Sequence, residues 1–280
     1  MSDDFRADSG IIYPPFCKIY FEKYFHQYMM KLHTDKIISQ ELFDSYVPVF
    51  WTELQITPSF DKRRIQTLLD NLSKDLPLFT VVQHDDGITF NTPGNLVTFA
   101  MGGTGSIPIP LIYDNLEVFD DYKSNPKNIF CSFVGSNTHP CRAKMLRIMK
   151  TKEDVLLVCN PWTNVIQADK QQLFLKTTSE SRFTLAPRGY GKTSFRLYEA
   201  LRLNSIPVYI YDDAWLPYQE LLDWSKLAVL VHTDDIDQLY DRLKSITDEQ
   251  ISEMLDYYAS IQYYFTYDGV CKYILNRMKQ

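Results

Sequence analysis

The sequence predicts an α/β protein built from two parallel-sheet halves, and three observations lead there. Short apolar, β-rich runs alternate with stretches of helical spacing along most of the 280 residues. A complete strand, glycine-rich turn, helix and strand occupies residues 183–211. An acidic and polar stretch, 114–127 with Asn125-Pro126, interrupts the alternation and separates two sets of elements. The expected division is therefore an N-terminal half over 1–125 and a C-terminal half over 126–280, with the last helices returning to pack on the first half.

Taken in order, residues 1–15 read as an arm stopped by Pro14-Pro15, 16–21 as a strand, and 24–32, rich in aromatics and methionine, as a helix. His26 and His33 share one face of that helix, but no third ligand stands nearby, and they read as ordinary helix histidines. The apolar run 42–51 reads as a second strand, and 61–72 as a helix through Ile65, Leu68, Leu69 and Leu72. Residues 78–83 form a buried-type strand that stops in the turn His84-Asp85-Asp86-Gly87. A strand at 96–100 follows, then Gly102-Gly103-Thr104-Gly105 and the apolar step 107–112.

Beyond the linker, 129–135 is a strand, 135–140 a loop, and the next helix carries Arg142, Lys144 and Arg147. Residues 154–159 form a strand, followed by a turn whose Trp162 reads as a packing residue, with stacking on a base as the other reading. Past the central unit come a strand at 227–231, a helix at 234–243 and one or two helices over 248–279. Tyr257, Tyr258, Tyr263, Tyr264 and Tyr267 there are read as core and domain-seam packing, with a few of them lining a sugar site as the alternative.

Composition narrows the chemistry. A 45% hydrophobic content suffices for a full core, and a net charge of −6 excludes a general nucleic-acid or anionic-membrane binder, which leaves chemistry in a pocket. Five cysteines (Cys17, Cys131, Cys141, Cys159, Cys271) form no Cys-x-x-Cys pair, so free thiols in a reducing, cytoplasmic compartment are expected. The acidic start, Met1 to Asp4, lacks the order of a signal peptide. The uncharged stretch 87–113 is broken by Pro93, Pro108, Pro110 and several glycines, so no transmembrane segment is predicted.

The central unit concentrates polar groups at one place. The apolar run 183–186 meets Pro187, Gly189 and Gly191, and a helix starts at Thr193 or Ser194, where a hydroxyl caps it. Turn N–H groups and the positive end of that helix converge where an anion would sit. Arg188, Lys192 and Arg196 add charge, and Glu199, one turn later, suits a sugar diol. The plainer alternative is an Arg196–Glu199 pair on a solvated helix face. Gly191-Lys192-Thr193 has the tail of a Walker phosphate loop, but Ala186 stands where the first glycine belongs. The turn at His84 ends a strand, where open α/β sheets place their sites; its plainer reading is an Asp-Gly turn.

The run Pro187-Arg188-Gly189-Tyr190, then residues 194–201, Ile206-Pro207-Val208, Asp212, Pro217 and Leu222-Asp223-Trp224, resembles the exostosin family, glycosyltransferase family 47. The similarity extends from about residue 16 to 239 and is strongest over 183–224. It implies a GT-B fold, two Rossmann-like domains facing a central cleft, with an inverting transfer of a sugar such as xylose, galactose, arabinose or glucuronic acid from a UDP-sugar donor to a glycan hydroxyl. The resemblance assigns donor binding to Arg142, Arg188, Gly189, Tyr190, Ser194, Arg196, Glu199 and Asp212. It places the His84-Asp85-Asp86 turn on the acceptor side, with Asp85 the first choice of base and Asp86 or His84 the alternatives. Cofactors are expected to be none, metal included, because arginines and a helix N-terminus can stabilise the leaving diphosphate. Partners are the UDP-sugar and the glycan acceptor, without nucleic acid. Most eukaryotic members carry an N-terminal membrane anchor, so this sequence is either a soluble relative or one whose anchor has been removed.

Two other readings stay open. A metal-dependent GT-A-like transferase would use Asp85-Asp86, Asp212-Asp213 or Asp235 with Asp237. A non-catalytic nucleotide-sugar- or glycan-binding module would keep the fold without turnover.

Overall fold

A computed structural model describes residues 3–6, 16–57 and 61–279. The chain divides into two compact units, one of residues 1–114 with 263–280 and one of residues 115–262. Most of the expected arm, 1–15, lies outside the described residues. Within it, 3–6 form a 3-10 turn whose Phe5 is buried and accepts a hydrogen bond from Phe50 N–H.

In the first unit, α1 (Phe21–Thr34) buries Phe21, Phe25 and Met29, an i, i+4, i+8 stripe. The expected strand at 16–21 is not formed: Phe21 continues the helical stripe, and the preceding residues make a turn. The expected strand at 42–51 is also replaced. Ser39 caps a short helix, α2 (Gln40–Asp44), a single parallel bridge joins Tyr46 to Phe79, and α3 (Trp51–Ile56) follows. Pro48 has no N–H to extend that bridge into a ladder. Asp61 caps α4 (Lys62–Asp70), which buries Ile65 and Leu69. The sheet has order β1 (Leu78–Val82), β2 (Leu96–Ala100), β3 (Ile107–Pro108), all parallel, with Leu78 opposite Leu96 and Phe99 opposite Ile107. β1 is buried throughout, as a covered parallel strand must be.

The second unit begins where the sequence suggests a linker. Residues 117–122 form a 3-10 helix with Phe119 buried, and Lys127 Nζ donates to the carbonyls of Ser179 and Leu203 at 2.6 and 2.9 Å. Then follow β4 (Ile129–Gly135), α5 (Pro140–Met149), β5 (Val155–Cys159), α6 (Ala168–Ser179), β6 (Ser181–Pro187), α7 (Phe195–Arg202), β7 (Ile206–Tyr211), β8 (Val229–His232), α8 (Leu239–Lys244) and α9 (Asp248–Ile261). The helix α6 is not foreseen by the sequence reading. The five strands are parallel in the order β5-β4-β6-β7-β8. Phe133, Met145, Phe183, Leu185, Val208, Ile210, Val231 and Leu239 lie in one apolar core that joins the sheet to α5 and α8. Pro207 is tolerated in the interior of the sheet because β8 pairs with β7 only from Val208 onward.

The last helix, α10 (Tyr267–Met278), belongs to the first unit, and Tyr24 Oη donates to Asp268 at 2.7 Å there. Two parallel α/β units in one chain agree with the predicted class.

Candidate active site

In the second unit the chain leaves β4 for β5 on one side and returns to β6 on the other. The loops after β4 and β6 therefore diverge at a topological switch point, where doubly wound sheets bind ligands. These loops are 135–140 and 187–194, and arginines from the helices that follow reach both.

Arg142, in the first turn of α5, is buried and fully engaged. Its Nε donates to Arg188 O at 2.9 Å, Nη1 to Ser136 O at 2.8 Å and Nη2 to Pro187 O at 3.3 Å. A Cβ at Gly189 would approach Arg142 Nη2 to 3.0 Å, so the turn needs glycine to lie this close. Ser194 adopts an extended conformation and caps α7 by accepting from Arg196 N–H, one of the two positions expected. Arg196 Nε donates to Val134 O at 2.7 Å, and its guanidinium lies over the rings of Phe133 and Phe174 at 5.1 and 5.8 Å. A helix end and two aimed guanidinium groups thus meet at the switch point.

Arg188 donates from Nη1 to Asp212 Oδ1 at 2.5 Å and from Nη2 to Tyr190 O at 3.0 Å. Its Nε and the hydroxyl of Thr193 are buried without a hydrogen-bond partner, two polar atoms on one turn whose desolvation is uncompensated. Burial opposes the charge of Asp212, but the hydrogen bond and charge of Arg188 outweigh it and hold this carboxyl below its usual range. His139, which the sequence reading does not single out, caps α5 by accepting from Cys141 N–H through Nδ1 and brings Nε2 to 3.8 Å from Asp212 Oδ2. Burial first, then Arg188, lower its proton affinity against the opposing charge of Asp212. A groove of about 600 Å³ beside it is lined by His139, Lys144, Arg147, Asp212 and Thr233.

Glu199 is buried on α7, one turn beyond Arg196, which removes the solvated-face reading of that pair. Tyr190 is exposed on the turn. Lys192 pairs with Asp213 at 2.6 Å, so both acids of the Asp212-Asp213 doublet face a cation of this turn.

In the first unit the His84-Asp85-Asp86 turn follows β1. Gly87 takes φ +65 and donates to His84 O at 3.0 Å, and Asp86 N–H donates to His84 Nδ1 at 3.2 Å. A Cβ on Gly102 would overlap Asp85 Cα, so the second glycine-rich loop lies directly against this turn. Burial lowers the proton affinity of His84 against the opposing charge of Asp86. Asp85 is half-buried and Asp86 exposed. The three residues thus share one turn, while the arginine-bearing turn belongs to the other unit.

His33 stacks on Phe43 at 4.0 Å, and His26 packs near Tyr46 and Phe50, as ordinary helix histidines do. Among the described residues no group of three His, Cys, Asp or Glu is arranged to hold a metal ion, and no helix is long and apolar enough to cross a membrane.

The second unit is thus a doubly wound α/β unit with an arginine-bearing turn at its switch point. The exostosin GT47 domain matches residues 48–246, more than half of the chain, and the chain belongs to this family. It is 38% identical over 86 residues to the probable glucuronosyltransferase GUT1 of Oryza sativa subsp. japonica, covering 31% of this chain and 21% of that protein. It is 25% identical over 207 residues to the exostosin-1 homolog of Caenorhabditis elegans, covering 61% and 53%. The chain thus spans from about a fifth to about half of the length of these relatives. Among solved structures it is similar to AviGT4, a glycosyltransferase involved in avilamycin A biosynthesis, with 13% identity, a TM-score of 0.40, and coverage of 80% of this chain and 79% of that one.

Proposed function

We propose that the chain is a glycosyltransferase that moves a sugar, such as glucuronic acid or xylose, from a UDP-sugar to a hydroxyl of a glycan, with inversion. The observation that carries this reading is the family match, which takes in both the His84 turn and the whole 187–202 turn and helix. In this reading the donor diphosphate sits at the N-terminus of α7 beside Arg196 and Arg142, on the turn that carries Arg188 and Thr193, with Glu199 binding the ribose. Arg142 acts chiefly by fixing the two loops, since its nitrogens are engaged with carbonyls.

In the transfer, the acceptor oxygen forms a bond to the anomeric carbon as the bond from that carbon to the diphosphate oxygen breaks. UDP leaves with the electron pair, and its growing charge is stabilised by the guanidinium groups and the helix end. One displacement inverts the centre. The acceptor proton passes to a base of the first unit, for which Asp85 is the first choice and Asp86 and His84 the alternatives. No metal is required in this scheme.

A panel of UDP-sugars assayed for slow hydrolysis, then for transfer to oligosaccharides, with and without EDTA, tests the reading. Turnover of one donor that persists in EDTA supports it. UDP-sugar binding without turnover would leave a binding module, and activity lost in EDTA and restored by Mn²⁺ would favour a metal-dependent transferase.

A further inference from the structure

The His84–Asp86 turn is held at both ends, at its start by Glu22 of α1, which is itself bonded to α3, and at its far end by α3 directly. At its start, Gln83 immediately precedes His84, and Gln83 N–H donates to Oε1 of Glu22 at 2.8 Å. Glu22 is a fully buried carboxylate in the first turn of α1 that also accepts from Thr52 Oγ1–H at 2.7 Å and, through Oε2, from Thr52 N–H at 3.0 Å. The clasp is reciprocal, because Gln83 Oε1 accepts from Phe21 N–H at 3.0 Å. At the far end, Gln55 Nε2 donates to Gly87 O at 2.9 Å, and its Oε1 accepts from the N–H and the hydroxyl of Thr89, both at 2.8 Å.

Thr52 and Gln55 both lie on α3, and Phe50, which precedes it, offers no side-chain cap. Glu22 therefore supplies from α1 the side-chain acceptor that the N-terminus of α3 lacks. Burying a carboxylate costs several kcal/mol by order of magnitude, and this one is placed where its hydrogen bonds fix the residue that leads into the turn.

We infer that Glu22 and Gln55 are positioning residues that aim the His84–Asp86 turn in the transfer reaction, through α3 as a common bracket. This rests on the reading that the turn supplies the base. The two side chains touch neither donor nor acceptor; they set the direction of groups that do, and misplacement of a reacting group by about 1 Å can cost orders of magnitude in rate.

The test is a double-mutant cycle. Gln55→Ala and Glu22→Gln are made singly and together with the slowest of Asp85→Asn, Asp86→Asn and His84→Ala, and kcat for transfer and the Kd for UDP are measured. Each positioning variant should lower kcat at least about tenfold with UDP affinity unchanged, and should add little in the background of the slow turn variant. General loosening of the fold would multiply with the turn variant instead, and that result would overturn the inference. Parent-like kcat in Gln55→Ala, with a slow turn variant, would also overturn it while leaving the turn as the base. Normal rates in all three turn variants would remove the turn from the mechanism and this inference with it. Glu22 is buried and Gln55 half-buried, so Gln55→Ala decides the outcome if Glu22→Gln fails to fold.

Discussion

The guanidinium of Arg196 occupies the volume that a side chain on Gly135 would need. Gly135 ends β4 and Arg196 lies in the first turn of α7, so the last residue of one strand and the first turn of a helix five elements further on fit only because one of them has no Cβ. Gly135→Ala would displace Arg196 from Val134 O and the face of Phe133. We expect UDP affinity to fall by about tenfold, within the range of one charge-assisted hydrogen bond, with the melting temperature little changed. Calorimetric titration with UDP is the measurement; parent-like affinity would remove Arg196 from the donor site.

Glu199→Gln keeps the shape of a buried residue and removes its charge. If the carboxylate binds the ribose diol, UDP binding should weaken by about 1.5 to 3 kcal/mol, the worth of a hydrogen bond to a charged group, while binding of inorganic diphosphate stays unchanged. Equal losses for the two ligands would place Glu199 in the frame of α7 rather than on the sugar.

For the base, Asp85→Asn should lower kcat for transfer by about 10² to 10⁴ and leave the Kd for UDP as it is, because the two functions lie in different units. A normal rate in that variant, with a slow Asp86→Asn or His84→Ala, would shift the base to the neighbour.

Glu22 gives a pH dependence of known sign. Burial, helped slightly by Glu53 and opposed by the hydrogen bonds from Gln83 and Thr52, pushes its carboxyl up from the ordinary 4.5 to about 7. A group whose affinity for a proton is higher in the folded state stabilises the fold fully below its unfolded pKa and loses that contribution as pH rises through the folded value. The parent should therefore lose stability relative to Glu22→Gln as pH goes from about 5 to 8. Denaturant unfolding of both proteins across this range is the check, and a constant gap would mean that Glu22 is ionised throughout.

The βαβ unit was legible because its determinants are local: Pro187 and two glycines, a capping hydroxyl, and a strand that begins just after Asn204, whose positive φ of 53 ends α7. The stretches 16–21 and 42–51 were misread because short aromatic runs carry no period that separates a strand from the start of a helix, and both Phe21 and Trp51 begin helices. The helix α6 carries no apolar stripe in the sequence because Thr177, Thr178 and Ser179 fill three of its buried positions. Of the site, the arginines and Ser194 declare themselves beside the glycines. Glu22, Gln55 and His139 do not, since each is defined by partners brought near only by folding; Glu22 and Gln83 are 61 residues apart.

Arg142 hangs three carbonyls from two separate loops on one planar group. For anyone who would retune donor choice by grafting, the loops 135–140 and 187–194 are a single transplantable cassette. A relative's 187–194 loop brought in alone would inherit carbonyls set for another partner, and a lysine at 142 would present one ammonium where a rigid fork of donors is needed. Swaps that carry both loops together with residue 142 are the ones that should keep the turn in register.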